Sequence, residues 1–124
     1  MMTYEENFKR ISRSKFRSQF HLSAKDIAYI DAKGMDTIRK HCEDFIASRL
    51  SPANIPNDGA QTPMRGHPVF VAQHACACCC RGCLENWYHV KKGVALTPLQ
   101  ETKIVNLLMK WIEREYSFRK ALYK

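Results

Sequence analysis

Five of the six cysteines stand between residues 76 and 83, in the run HACACCCRGCL that begins at His74. Within it, Cys80 and Cys83 have the C-x-x-C spacing at which a tight turn or helix start aims two thiolates at one cation, and Gly82 lets the backbone bend between them. Such a pair is half of a tetrahedral Zn2+ site. The remaining ligands are to be sought nearby, in His74, His67, Cys79, or Cys76 with Cys78. Seven residues along a straight helix separate His67 from His74 by about 10 Å, too far to share a metal without a bend. Pro68 can supply it: if it opens a helix, His67 lies just outside and hydrogen-bonds a loop carbonyl, and His74 is the better ligand.

Other chemistries compete for the same residues. Cys76, Cys79, Cys80 and Cys83, with Leu84 and Trp87, follow helical spacing, and cysteine also serves as a small buried hydrophobe. Against pure packing, five cysteines in eight positions fill a core of leucine, isoleucine and phenylalanine poorly. A thiol redox pair, Cys80 with Cys83, is the second possibility, and Arg81 would lower a neighbouring thiol's pKa; a thioredoxin-like site, however, needs strands this chain does not offer. A metal-dependent hydrolase or nuclease is the third, with His67, Asp58, Glu85 and Arg65 as participants around an open metal position. Three or more thiolates favour a closed structural zinc, whereas two histidines and an open place favour hydrolysis.

These residues need elements to hold them. In YEENFKRISRSKFRSQF, residues 4 to 20, Phe8, Ile11, Phe16 and Phe20 fall on one arc of a helical wheel, which predicts an amphipathic basic helix. Ser23 with Asp26 starts a second helix that Gly34 stops, and Asp36 caps a third whose stripe is Ile38, Cys42, Phe45, Ile46 and Leu50. A lone cysteine on such a stripe is packing, so Cys42 is assigned to the core. Four of the five prolines lie from Pro52 to Pro68, around the turn signal Asn57-Asp58-Gly59. A loop this long is more often wrapped around a site than idle. Thr97, Pro98 and Gln100 begin a long terminal helix with Ile104, Leu107, Leu108, Trp111 and Ile112 on one face.

At 124 residues the chain has room for one domain. No apolar run approaches the roughly 20 residues of a membrane helix, and the polar opening MMTYEENFKR lacks the basic-then-apolar order of a signal peptide, so the expected compartment is the cytoplasm. Thiols stay reduced there, which makes a disulfide framework the weaker explanation of the cluster. Twenty lysines and arginines against twelve acids give +8, a charge that favours encounter with polyanions. Arg10, Arg13, Lys15 and Arg17, interleaved with phenylalanines, are the expected contacts to nucleic acid or an acidic protein partner.

The stretches KFRSQFHL (15 to 22), DGAQTPMRGHPVFVAQHA (58 to 75), CCRGCL (79 to 84) and KWIERE (110 to 115) resemble the bacterial and phage family named domain of unknown function 4186. The resemblance extends over about residues 8 to 116. It implies a single domain, draws attention to His67, His74, Cys79, Cys80 and Cys83, and supplies no reaction; threonines stand in the family pattern at the positions of Cys76 and Cys78. The expectation is therefore a mainly α protein, one helical domain over residues 1–124, with a long proline-rich loop and a Cys/His segment before a long terminal helix. Cys80 and Cys83, with His74 and either Cys79 or His67, would hold one structural zinc.

Overall fold

The computed structural model describes residues 3–123, and among them the protein is mainly α, with six α-helices and no strand. They are α1 Tyr4–Ser12, α2 Ala24–Lys33, α3 Met35–Arg49, α4 Pro68–Ala75, α5 Arg81–Tyr88 and α6 Pro98–Leu122, with one turn of 3-10 helix at Arg17–Gln19.

Local chemistry sets most of the helix starts. Thr3 with Glu6, Ser23 with Asp26 and Thr97 with Gln100 each form a reciprocal capping box that satisfies N–H groups otherwise left without a partner. The third helix departs from expectation. It starts at Met35 behind Gly34, whose φ of 85° only glycine adopts freely, and Asp36 sits in its first turn, where a carboxylate favours the positive end of the dipole, without capping it.

The first helix is also shorter than its periodicity predicts. It ends at Ser12, whose hydroxyl donates to the Lys9 carbonyl, and Ser14 then accepts from the Arg17 N–H to form a serine turn. Serines that bond their own backbone compete with the helix. The consequence is a change of direction that leaves Phe16 47% exposed and turns Arg17 inward, to 7%.

One hydrophobic cluster runs through the molecule. The long helix α6 is its spine, packing on α1, α2, α3 and α4 and burying Ile104, Leu107, Leu108, Trp111 and Ile112. On α3 and its C-cap, Ile38, Cys42, Ile46 and Leu50 are buried as their spacing predicts, while Phe45 of the same stripe is half-buried against His67 and Phe70. Helix α4 is buried nearly all round and packs against α2, α3, α6 and the 3-10 turn, so its side chains are interior on every face. Residues 51–67 form no helix or strand and lead directly into α4. No helix among the described residues is long and apolar enough to cross a membrane.

Candidate metal centre

The cysteine run is not one helix. Helix α4 stops at Ala75, Ala77 takes a left-handed φ of 58°, and α5 begins only after Cys80. This break divides the five thiols into two groups. Cys76 and Cys78 go inward to zero exposure, where burial pushes both thiols well above their ordinary pKa; Cys42, also buried, is pushed up to about 12 for the same reason. These three are packing groups.

Cys79, Cys80 and Cys83 go the other way. Their sulfurs lie within 4.8 Å of one another, with Cys80 Sγ 3.2 Å and Cys79 Sγ 3.5 Å from Cys83 Sγ. A tetrahedral zinc with Zn–S bonds of about 2.3 Å spreads its sulfurs to about 3.8 Å, so Cys79 and Cys80 would each have to open slightly from Cys83 to hold such an ion. Cys80 is the N-cap of α5, its sulfur accepting from the Cys83 N–H at 3.3 Å. Gly82 lies within α5 and provides no bend; the turn is made at Ala77.

The connection is fixed from several sides. Gln73 Nε2 donates to the Cys78 carbonyl at 3.1 Å, Thr62 Oγ1 to the Cys79 carbonyl at 2.8 Å, and the Tyr88 hydroxyl to the Cys76 carbonyl. Asp58, from the proline-rich loop, accepts from the N–H groups of Arg81 at 2.8 Å and Gly82 at 3.2 Å. Burial raises the Asp58 pKa, but these bonds, with those from Gln61 and Lys92, outweigh it and hold the carboxyl below its ordinary value. The loop is therefore wrapped around the site, as its length suggests.

Arg17 supplies the charge. Its Nη2 donates to Cys83 Sγ at 3.2 Å, and its Nη1 to Cys79 Sγ at 3.6 Å and to the His74 carbonyl at 2.8 Å. The hydrogen bond shared with Cys83 lowers the Cys79 pKa; burial opposes this, Arg17 assists it, and the result is about 7. The same sharing pushes Cys83 upward, while burial raises Cys80. One thiolate thus forms far more readily than the other two.

Several expected roles fall elsewhere. The burial of Arg17 removes it from any basic surface, and Arg10, half-buried, lies over the Trp87 ring, 4.6 Å from its centroid; of the four expected nucleic-acid contacts, Arg13 and Lys15 are exposed. Arg81 does not act on the thiols. Its guanidinium is buried and donates to the carbonyls of Leu50, Ser51, Pro52, Lys91 and Val94, pinning three segments together.

Neither histidine is gathered with the three sulfurs. His74 Nε2 lies 3.1 Å from the carbonyls of both Thr62 and Pro63, and its ring stacks on Phe20. His67 is the N-cap of α4, with Pro68 at the first helical position as expected. Its Nδ1 accepts from the Val69 N–H, however, and its Nε2 meets His41 Nδ1 at 3.0 Å. Tyr29, Phe45 and Phe70 surround the pair. Glu85 accepts from the Lys92 N–H and Arg65 is exposed, so the four residues expected around an open hydrolytic site are not assembled into one.

A mainly helical fold whose proline-rich loop and N-terminal turn enclose three thiols defines a protein built around a cysteine cluster close enough to hold a metal ion. The chain belongs to the family described as Domain of unknown function (DUF4186), which it matches over residues 5–113. No solved structure matches it.

Proposed function

We propose that this chain is a zinc-binding domain in which Cys79, Cys80 and Cys83 hold one Zn2+ as thiolates and Arg17 balances their charge. The observation that carries this reading is the gathering of three sulfurs within 4.8 Å, two of them accepting from one buried guanidinium. Three thiolates and a divalent ion sum to one negative charge, which Arg17 offsets, and soft sulfur donors suit zinc. Thiolates on this scale quench the ion's electrophilicity, so its role is structural: it ties the α4–α5 connection together under the N-terminal turn. No fourth His, Cys, Asp or Glu joins the cluster among the described residues, which leaves the last position to water or to an outside donor.

Metal content per chain, measured by mass spectrometry on protein purified under reducing conditions, tests the reading. About one zinc in the wild type, lost in Cys80→Ser/Cys83→Ser, is expected. A wild type without stoichiometric metal overturns it.

The exposed Arg13, Lys15 and Phe16, in the turn just before Arg17, are the part of the basic stretch left for a polyanionic partner, nucleic acid or an acidic protein. A gel-shift titration across a salt series checks this. Steep weakening with salt supports phosphate contacts, and no binding at low salt removes nucleic acid as the partner.

The 3.2 Å separation of Cys80 and Cys83 sulfurs favours one further reading, in which the pair acts as a reversible dithiol. Two thiols would give up two protons and two electrons to an oxidant such as hydrogen peroxide, forming one disulfide and two waters. Thiol counting on metal-free protein after peroxide treatment distinguishes a pair lost together from cysteines oxidised singly.

A further inference from the structure

A groove of about 890 Å³ runs between α1, α5 and α6, and none of Cys79, Cys80 and Cys83 lines it. Tyr4 on α1, Leu84, Trp87 and Tyr88 on α5, and Ile104 and Leu107 on α6 give it an apolar body. Its size falls in the range of small-molecule sites, which pair such a body with a few convergent polar groups.

The charged groups here have one sign, among neutral polar ones such as Asn7, Gln100 and Asn106. Arg10 and Lys103 are the lysine and arginine of the lining, which includes no aspartate or glutamate, and neither cation forms a salt bridge among the described residues. Arg10 is half-buried. Its Nη1 donates to the Trp87 carbonyl and its guanidinium lies over the Trp87 ring, which fixes its position without neutralising it. On the same face of α1, one turn earlier, Asn7 is 6% exposed, and its side-chain oxygen has no hydrogen-bond partner.

We propose that this groove binds an amphipathic organic anion of the medium-chain carboxylate class. The apolar portion lies against Trp87, Tyr88 and Ile104, and the anionic head takes charge-assisted hydrogen bonds from Arg10 and Lys103. An anionic head satisfies both unpaired cations while the chain covers the apolar walls; a neutral amphiphile does only the second, and a cationic one meets repulsion.

Trp87 makes the groove observable. The chain has two tryptophans, so a Trp111→Phe variant leaves Trp87 as the one reporter. Decanoate below its micelle concentration is the probe, with decyltrimethylammonium as the cationic comparison of equal chain length. Saturable change of Trp87 emission with decanoate, at least tenfold weaker response to the cation, and at least tenfold loss in Arg10→Met are the expected results. Since Arg10 also braces Trp87, Lys103→Met carries an independent test: Lys103 is exposed and its ammonium forms no salt bridge among the described residues, so its removal weakens decanoate without altering the urea midpoint. Lys25→Met, outside the groove, controls for the general attraction of a +8 protein to anions. Absence of decanoate binding, equal affinity for the two amphiphiles, or equal losses in Lys103→Met and Lys25→Met overturns the proposal.

Discussion

Arg17 and Cys83, 66 residues apart in sequence, meet with Nη2 3.2 Å from Sγ. Among the described residues this guanidinium is the one cation that bonds directly to the thiols, so the ionisation of the cluster depends on a residue far outside it. Removing the charge by Arg17→Met raises the pH at which Cys79 becomes a thiolate. In metal-free protein, alkylation of Cys79 should rise through about pH 7 in the wild type and at higher pH in the variant. Zinc affinity measured by chelator competition should fall about 10- to 100-fold, and Arg17→Lys should restore little of it, because an ammonium cannot reach two sulfurs and a carbonyl in one plane.

Cys76 and Cys78 provide the opposite expectation. Both are fully buried and unassociated with the cluster, so Cys76→Ala and Cys78→Ala should keep the wild-type metal content while losing about 1 kcal/mol each of stability to the smaller side chain. Metal content and urea denaturation on the same preparations separate the two groups of cysteines.

For Arg81, the effect should be on folding alone. Its guanidinium serves five backbone carbonyls from residues 50–52, 91 and 94, and Arg81→Met removes that shared donor, leaving the buried Leu50 carbonyl without it while Ser51 keeps the Leu96 N–H. A loss of about 3 kcal/mol is expected by urea unfolding, with poor rescue by lysine.

His67 gives a pH dependence with a definite sign. Burial first, then the neighbouring His41, lowers its pKa from 6.5 to about 4. The unfolded chain therefore binds the proton more readily, and stability falls as pH drops from about 6.5 to about 4. Between pH 7.5 and 5 this amounts to about 2 kcal/mol, and protonation also removes the Nδ1 acceptor that caps α4. His67→Asn retains a capping oxygen without titrating in this range, so the difference between wild-type and variant stability should narrow by that amount on acidification. A parallel pH response in both proteins would contradict the assignment.

Capping and periodicity made much of the helical frame legible in the sequence, since Ser23, Thr97 and Pro98 act on N–H groups within three residues of themselves. The site divides differently. The C-x-x-C pair and the wrapping loop could be recognised locally, but the break that sorts the thiols could not: Ala77 adopts a left-handed backbone that alanine does not advertise. Arg17 sits among other basic residues and resembles a solvent-facing charge, because bonds to sulfurs 62 and 66 residues away leave no local trace. The two histidines show a subtler reversal. His67 lies where expected but accepts from a backbone N–H, whereas His74 is the one that addresses loop carbonyls.

The three clustered thiols are confined to five consecutive positions, so they remain near neighbours even in the unfolded chain. An ion held as proposed would meet the same three sulfurs before the domain folds, and any affinity for that state would subtract from the stability it gives the native one. What folding adds around those sulfurs is the Arg17 guanidinium at Cys79 and Cys83, with Thr62, Gln73 and Asp58 holding the backbone that carries them. On the proposed reading, the donors for an ion lie within a pentapeptide, while any preference for holding it in the folded state must come from residues distant in sequence.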